Sequence, residues 1–314
     1  MTSRIRCFSR PRSRVIETSQ TTLQNRRLLR ADPEFNRRVV GLLSRALELY
    51  PVRLHAVVVM GSHYHVLATH EDPEVMAGFH CHFNTNLSKE VGRTYGWQGT
   101  VFPNRYRSVE LSGEPEIERE RLKYLLSNGV KEGLVASPLD WPGVSSAKAL
   151  CSGRPLRGVW VDRAAYWQAR QRGESVSPAD FTNERTVCLE PLPSMAHLSS
   201  EAYRAQVREL VEEVEAEGRA LHRRRGTSPA GVAAILAQDP EFRPREVEKR
   251  PCPWFHVLDP ELRRALYVAL SLVVAEYREA AERLAAGDRL VRFPLHTFAP
   301  TLGFVREVEV LEPG

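Results

Sequence analysis

Hydrophobic positions change period several times along the chain, and each change marks an element. "RVIETSQTTL", residues 14–23, carries β-branched residues into a polar turn and reads as a strand. From Asp32 the period becomes helical: Val39, Leu42, Leu43, Ala46 and Leu49 recur at helical spacing behind an Asp cap and Pro33 at the first helical position. "VRLHAVVVM" returns to β-branched character, Gly61 and Ser62 break it, and "HYHVLAT" resumes, which predicts an antiparallel hairpin. A helix follows from Asp72 and Pro73 to Gly92 or Gly96. A strand over "VFPNRYRSVEL", kinked at Pro103, comes next, and then a helix from Pro115 to Gly129 or Gly133.

That order predicts an α+β fold, with helices laid against one antiparallel sheet. The Pro-, Gly- and Ser-rich "SPLDWPGVSSAKALCSGRPLRG" places a boundary near residue 155. Three regions are expected: an arm over 1–13, a domain over 14–154, and a mainly helical extension over 155–314. The extension's expected helices are Ser200 to Arg225, a shorter one capped by Ser228 and Pro229, and an amphipathic one from Asp259 and Pro260 to about Ala286. In the last, Leu262, Leu266, Leu270 and Val273 form the core-facing stripe.

Charge sharpens this division. Residues 1–150 hold 21 Lys and Arg against 15 Asp and Glu, and the remainder hold 23 against 24, so the net +5 comes from the first half. The opening "TSRIRCFSRPRSR" has no acid and suits a polyanion. Five scattered cysteines without a Cys-x-x-Cys pair encode neither a disulfide framework nor a structural zinc site. No apolar run is long enough to span a bilayer and no signal-peptide core is present, so the expected location is cytoplasmic, with no membrane partner.

Candidate chemistry starts at "GSHYHVLAT". On a strand, His63 and His65 project to one face while Tyr64 points to the other. Four residues separate Tyr124 from Asn128, so a helix presents a phenol and a carboxamide together. If that helix covers the histidine face, two imidazoles and an amide oxygen could hold a divalent ion as a Lewis acid toward a phosphoryl oxygen, beside a tyrosine nucleophile. A His-x-His pair alone is weak evidence, since such pairs are more often satisfied core or surface residues, and it is the joint pattern that points to a site. His80 and His82 repeat the spacing in "FHCHF", but on a helix they diverge by roughly 200°, which makes them poor joint ligands. "FPNRYRS" offers Arg105 and Arg107 for phosphate and Tyr106 for base stacking, the combination a single-strand groove uses. Among the charges near Tyr124, Lys123 is the phosphate-contact candidate, while Arg119 and Arg121 alternate with glutamates as a solvated face does.

Taken together, "VVVMGSHYHVLA", "YLLSNGVKEGLV" and "PLDWPGVSSAKAL" resemble the HUH-type single-tyrosine transposases of the insertion-sequence two-hundred type, closest to the REP-associated tyrosine transposases. The resemblance covers roughly residues 14–150. It implies a ferredoxin-like HUH palm, His63 and His65 as metal ligands with Asn128 as a candidate third, Tyr124 as nucleophile, and Mg or Mn as cofactor. It also implies single-stranded, hairpin-containing DNA as partner, a monomer or a homodimer as the acting form, and a 5′-phosphotyrosine intermediate. Gly61-Ser62 stands where the family usually has Pro-Asn, and Gly129 where it has proline. The alternative is a domesticated or lapsed descendant that binds DNA in the same groove for regulation. A histidine-metal hydrolase unrelated to DNA would need a general base, and the pattern places none beside His63 or His65.

Overall fold

The computed structural model describes residues 15–244, 252–295 and 297–300; the expected arm, residues 1–13, lies outside them. Contacts divide the chain into two units, one of them Pro11–Leu258 and the other containing Asp259 onward. Residues 14–154 therefore share a unit with about a hundred residues that follow the expected boundary.

In the larger unit, β1 (Val15–Thr21), α1 (Pro33–Leu49), β2 (Arg53–Val59), β3 (His63–Thr69), α2 (Pro73–Tyr95) and β4 (Arg107–Leu111) follow one another in the expected order. Asp32 caps α1 by accepting from Phe35 N at 2.9 Å, and Asp72 caps α2 by accepting from Glu74 N. Gly96, at φ 69°, closes α2 in the left-handed conformation. The strands lie in the order β2-β3-β1-β4 with every neighbour antiparallel, which is the α+β, ferredoxin-like arrangement. β4 is shorter than expected. Residues 101–106 leave the ladder: Val101 O accepts from Leu23 N and Asn104 O from the Gln20 side chain. Pro103 has no N–H to offer a ladder.

Strand alternation divides the core in two. Leu54, Val57, Val59, Tyr64, Val66 and Ala68 face α1 and α2, where Phe35, Leu43, Phe79 and Phe83 are fully buried. Ala56, Val58, Leu67 and Val15 face the other way, against α3 (Pro115–Leu126) and α4 (Asn128–Lys131). Each such side chain contributes about 1.5–3 kcal/mol by leaving water, so both layers are held chiefly by apolar burial.

Past residue 155 the chain is more varied than a run of helices. After α5 (Ala147–Ser152), β5 (Leu156–Val161) and β6 (Thr182–Val187) form an antiparallel hairpin flanking α6 (Arg163–Gln171), a pair of strands the sequence did not disclose. The hairpin lies against α1, where a Cβ on Gly41 would come 1.8 Å from Val159 O and one on Gly158 2.3 Å from Arg37 O. Helix α7 (Ser200–Arg225) follows the expected range, and its Tyr203, Val207, Leu210, Val211 and Val214 join the core behind α3. A Cβ on Gly218 would meet Val130 at 2.4 Å, so glycine permits the close approach of α7 to α4. Helix α8 (Gly231–Leu236) begins three residues after the expected Ser228. The exposed Arg223, Arg224 and Arg225 end α7.

Both edges of the four-stranded sheet are covered. Val59 N donates to Val144 O, Ser146 N to Val57 O and Trp141 Nε1 to Val59 O, so "WPGVSS" runs along β2. On the far side β7 (Phe255–His256) pairs parallel to β4, through Glu110 N to Trp254 O at 3.1 Å and Ser112 N to His256 O at 3.0 Å. Covering the edges removes the unpaired donors that invite association with other chains.

In the second unit, α9 (Pro260–Ala285) is capped by Asp259, which accepts from Glu261 N and Leu262 N. Leu270, Tyr277 and Ala280 are its buried residues, while Leu262, Leu266 and Val273 of the expected stripe are half-buried. No described helix is long and apolar enough to cross a membrane.

Candidate active site

The histidines are set by the hairpin register. Thr21 opposes His63 and Ser19 opposes His65, so the imidazoles share a face with Glu17, Ser19 and Thr21 of β1. Their ring centroids are 5.2 Å apart. The Gly61-Ser62 turn between β2 and β3 is tied to the rest of the fold, since Leu29 N donates to Gly61 O and both Thr22 N and Thr22 Oγ1 donate to Ser62 O. Ser62 Oγ lies 3.1 Å from His63 Nδ1. Gly61 and Ser62 are thus held by contacts from the segment after β1.

Glu17 Oε1 accepts from His65 Nδ1 at 3.1 Å, so Nε2 is the ring nitrogen outside that contact. Burial opposes the charge of Glu17, but hydrogen bonds from His65 and Arg121 outweigh it and hold the carboxyl at about 2. Burial, with His65 and Lys131 nearby, lowers His63 to about 3, so the ring is neutral at ordinary pH.

Helix α3 delivers the remaining groups. The Tyr124 ring stands edge-on to His65, with centroids 5.7 Å apart. Arg121 Cζ lies 4.0 Å and Lys131 Nζ 3.6 Å from the Tyr124 ring centroid. Arg121 Nε also donates to Glu17 Oε2 at 2.7 Å, so one guanidinium links the acid to the tyrosine. Asn128 is completely buried, and its Nδ2 donates to Tyr124 O and Leu125 O. That pairing fixes which end of the amide is which, because the reversed amide would set Oδ1 against two carbonyl oxygens. Oδ1 finds no donor in hydrogen-bonding geometry among the described residues, though the amide lies near enough to His63 to favour its charged form.

A buried acceptor without a donor costs on the order of 1–3 kcal/mol. Beside two imidazoles, such an oxygen is the third donor a divalent cation takes, so His63, His65 and Asn128 fit a metal. Among the described residues no cluster of three His, Cys, Asp or Glu side chains forms a metal site by itself. The amide is what completes this set.

The DNA-contact candidates divide. Arg107 is exposed and lies in the same cross-strand row as Ser19 and His65, hence on the same face; Arg105 is exposed just before the strand. Tyr106, expected to stack on bases, is instead buried and stacked on His80 at 3.8 Å, because the residue preceding Arg107 on the strand turns to the opposite face. Lys123, expected at phosphate, is instead held by Glu213 at 2.8 Å and Glu217 at 2.7 Å of α7. One step along the helix from Tyr124 rotates a side chain by about 100°, which turns Lys123 away from the site.

Sequence reasoning missed Glu17 and Arg121. Arg121, Tyr124 and Asn128 follow i, i+3, i+7 spacing, a signal that sets Arg121 on the tyrosine's face. Glu17 is an acid in the buried run of β1 and had no such marker. Gly129 is explained by packing: a Cβ there would come 2.9 Å from Val135 and 3.1 Å from Trp141. His55 is structural, its rings bonded to Thr69 Oγ1 and Glu190 O.

Fold and site together define an α+β domain with a histidine pair and a tyrosine on one sheet face. Among solved structures, a REP-associated tyrosine transposase bound to a REP hairpin is similar at TM-score 0.36 and 16% identity, covering 47% of this chain and 85% of that one. A candidate transposase from Deinococcus radiodurans R1 is similar at TM-score 0.29 and 15% identity, covering 39% of this chain and 95% of that one. No family model and no curated protein matches the sequence.

Proposed function

We propose that this protein is a transposase-like strand transferase that cleaves and rejoins single-stranded DNA through Tyr124. The observation that carries the reading is the placement of Tyr124 against His65, with the unpaired Asn128 Oδ1 close by the pair. A divalent metal such as Mg or Mn, held by His63, His65 and Asn128, would supply Lewis acidity toward a phosphoryl oxygen.

The residues of the chain do the rest. The Tyr124 hydroxyl attacks phosphorus and gives up its proton to water; the bond from phosphorus to the 3′ oxygen breaks, and that oxygen takes a proton as a free 3′-hydroxyl. The 5′-phosphate stays on the tyrosine as a phosphodiester, so the reverse attack by a 3′-hydroxyl rejoins the strand with little net energy change. Arg121 and Lys131 place positive charge beside the ring where the phosphate arrives. Glu17 holds His65 by its Nδ1 proton, and Arg105 and Arg107 offer backbone contacts on the approach. Since Tyr124 meets a histidine of its own chain, one copy carries a full set of groups.

The test is incubation with labelled single-stranded hairpin oligonucleotides from the DNA flanking the gene, with Mg²⁺ or Mn²⁺, followed by denaturing electrophoresis. A covalent adduct that disappears in Tyr124→Phe and His63→Ala is the expected result. Binding without any adduct would replace this reading with that of a DNA-binding regulator.

A further inference from the structure

Tyr106, buried on His80, offers no aromatic surface to a single strand. Another aromatic lies next to the site, at the strand that completes the sheet. β7 runs parallel to β4 with Glu110 opposite Phe255 and Leu111 opposite His256. His256 Nε2 lies 3.7 Å from Glu17 Oε2, which shows which face its side chain takes. Trp254 stands at the bend just before β7 with its carbonyl already in the ladder to Glu110 N, and counting two residues back from His256 sets it toward that same face. Its exposed neighbour two residues back agrees, since the charges of Arg107, Glu17 and Arg121 all act on the Cys252 thiol.

Trp254 is half-buried, so part of the indole remains open to a ligand. Val109 of β4 stands opposite Trp254, and Arg107, two residues back along β4 and opposite Cys252, is exposed on this face as well. An aromatic plane and a guanidinium diagonally across the strand pair, a separation long side chains can span, match what an unpaired nucleotide offers: a base to stack and a phosphate to neutralise. A base inside a duplex has both faces covered and cannot use such a plane. The arrangement is anchored, since backbone bonds flank Trp254 and His256, and Leu258 N donates to Glu114 Oε2 at 3.0 Å.

We infer that Trp254 is the base-stacking platform of the site, a specificity-determining residue for single-stranded nucleic acid supplied by the region beyond residue 155. The inference rests on the reading of the preceding subsection for the identity of the ligand, and the experiment separates the two. A fluorescein-labelled single strand from the gene's flank and its duplex are titrated by anisotropy into wild type, Trp254→Phe and Trp254→Ala, and tryptophan emission is followed with unlabelled strand. Loss of one stacked base weakens single-strand binding by about five- to hundredfold, so Trp254→Ala should lose affinity in that range with duplex binding unchanged. Trp254→Phe should keep most of the affinity while losing the strand-induced change in tryptophan emission. Trp254→Ala binding as tightly as wild type, or an undiminished emission change in Trp254→Phe, would overturn the platform. An adduct that depends on Tyr124 but is indifferent to both variants removes the platform and leaves the chemistry. Stacking without any adduct removes the chemistry and leaves the platform.

Discussion

Two His-x-His pairs occur in this chain, and the backbone under each decides what it becomes. On β3, His63 and His65 stand on one face, their ring centroids 5.2 Å apart, with Glu17 and Tyr124 against His65. On α2 the same spacing separates the residues: His80 is buried against the sheet with Nδ1 3.0 Å from the Tyr64 hydroxyl, while His82 is half-exposed near Tyr50. Tyr64 joins the two pairs, since it lies between the strand histidines in sequence and bonds a helix histidine in space. Composition of a motif is therefore uninformative until the period of its element is known.

The comparison can be broken most directly by substitution. His63→Ala or His65→Ala should abolish adduct formation and Mn²⁺ binding followed by electron paramagnetic resonance, while His82→Ala leaves both intact; metal binding lost from His82→Ala would refute the distinction. Glu17→Gln should cost about 10–100-fold in Mn²⁺ affinity, as loss of a partner to a ligating histidine does. On α3 the contrast is between faces: Arg121→Ala should lower the rate of adduct formation about tenfold, the scale of one lost charge-assisted contact, and Lys123→Ala should not change it. Equal effects in a single-turnover assay would show that the two faces of α3 are not divided in this way.

Stability sharpens the other half of the comparison. His80→Ala should lower unfolding free energy by about 2–3 kcal/mol in urea titrations, because it removes a buried ring and a hydrogen bond together, with Mn²⁺ binding unchanged. The smallest effect concerns Glu90, which ties α2 to Arg38 of α1 and Arg163 of α6. Burial opposes its charge, but the hydrogen bonds and charges of these arginines hold its carboxyl below the ordinary value. A depressed carboxyl stabilises the fold above its unfolded value of about 4.3 and loses that contribution as pH falls through the lower folded value. The difference between wild type and Glu90→Gln, about 1 kcal/mol for half-exposed partners, should therefore shrink as pH falls below about 5.

Elements with a strong period were legible in the sequence. The caps of α1 and α2, the β2–β3 hairpin and the full range of α7 rest on local signals that the tertiary structure leaves intact. The β5–β6 hairpin was not legible, because "LRGVWV" and "TNERTV" alternate weakly and are fixed by a close approach to Gly41 that no local pattern encodes. For the same reason β7 left no trace: two residues added to an existing edge carry no period. In the candidate site, His63, His65, Tyr124 and Asn128 were visible from spacing. Lys123 and Tyr106 were misdirected by proximity in sequence, which ignores the turn from one face to the next.

The late arrival of β7 has a consequence for synthesis. β4 emerges from the ribosome well over a hundred residues ahead of Phe255, and at about 5–20 residues per second the nascent chain waits on the order of ten seconds for its final strand. During that interval the N–H groups of Glu110 and Ser112 lack the carbonyls that later receive them, and the sheet presents an open side to neighbouring polysomes. A translational pause before residue 252 would lengthen this exposure, so codon usage upstream of β7 bears on how much of the protein escapes aggregation.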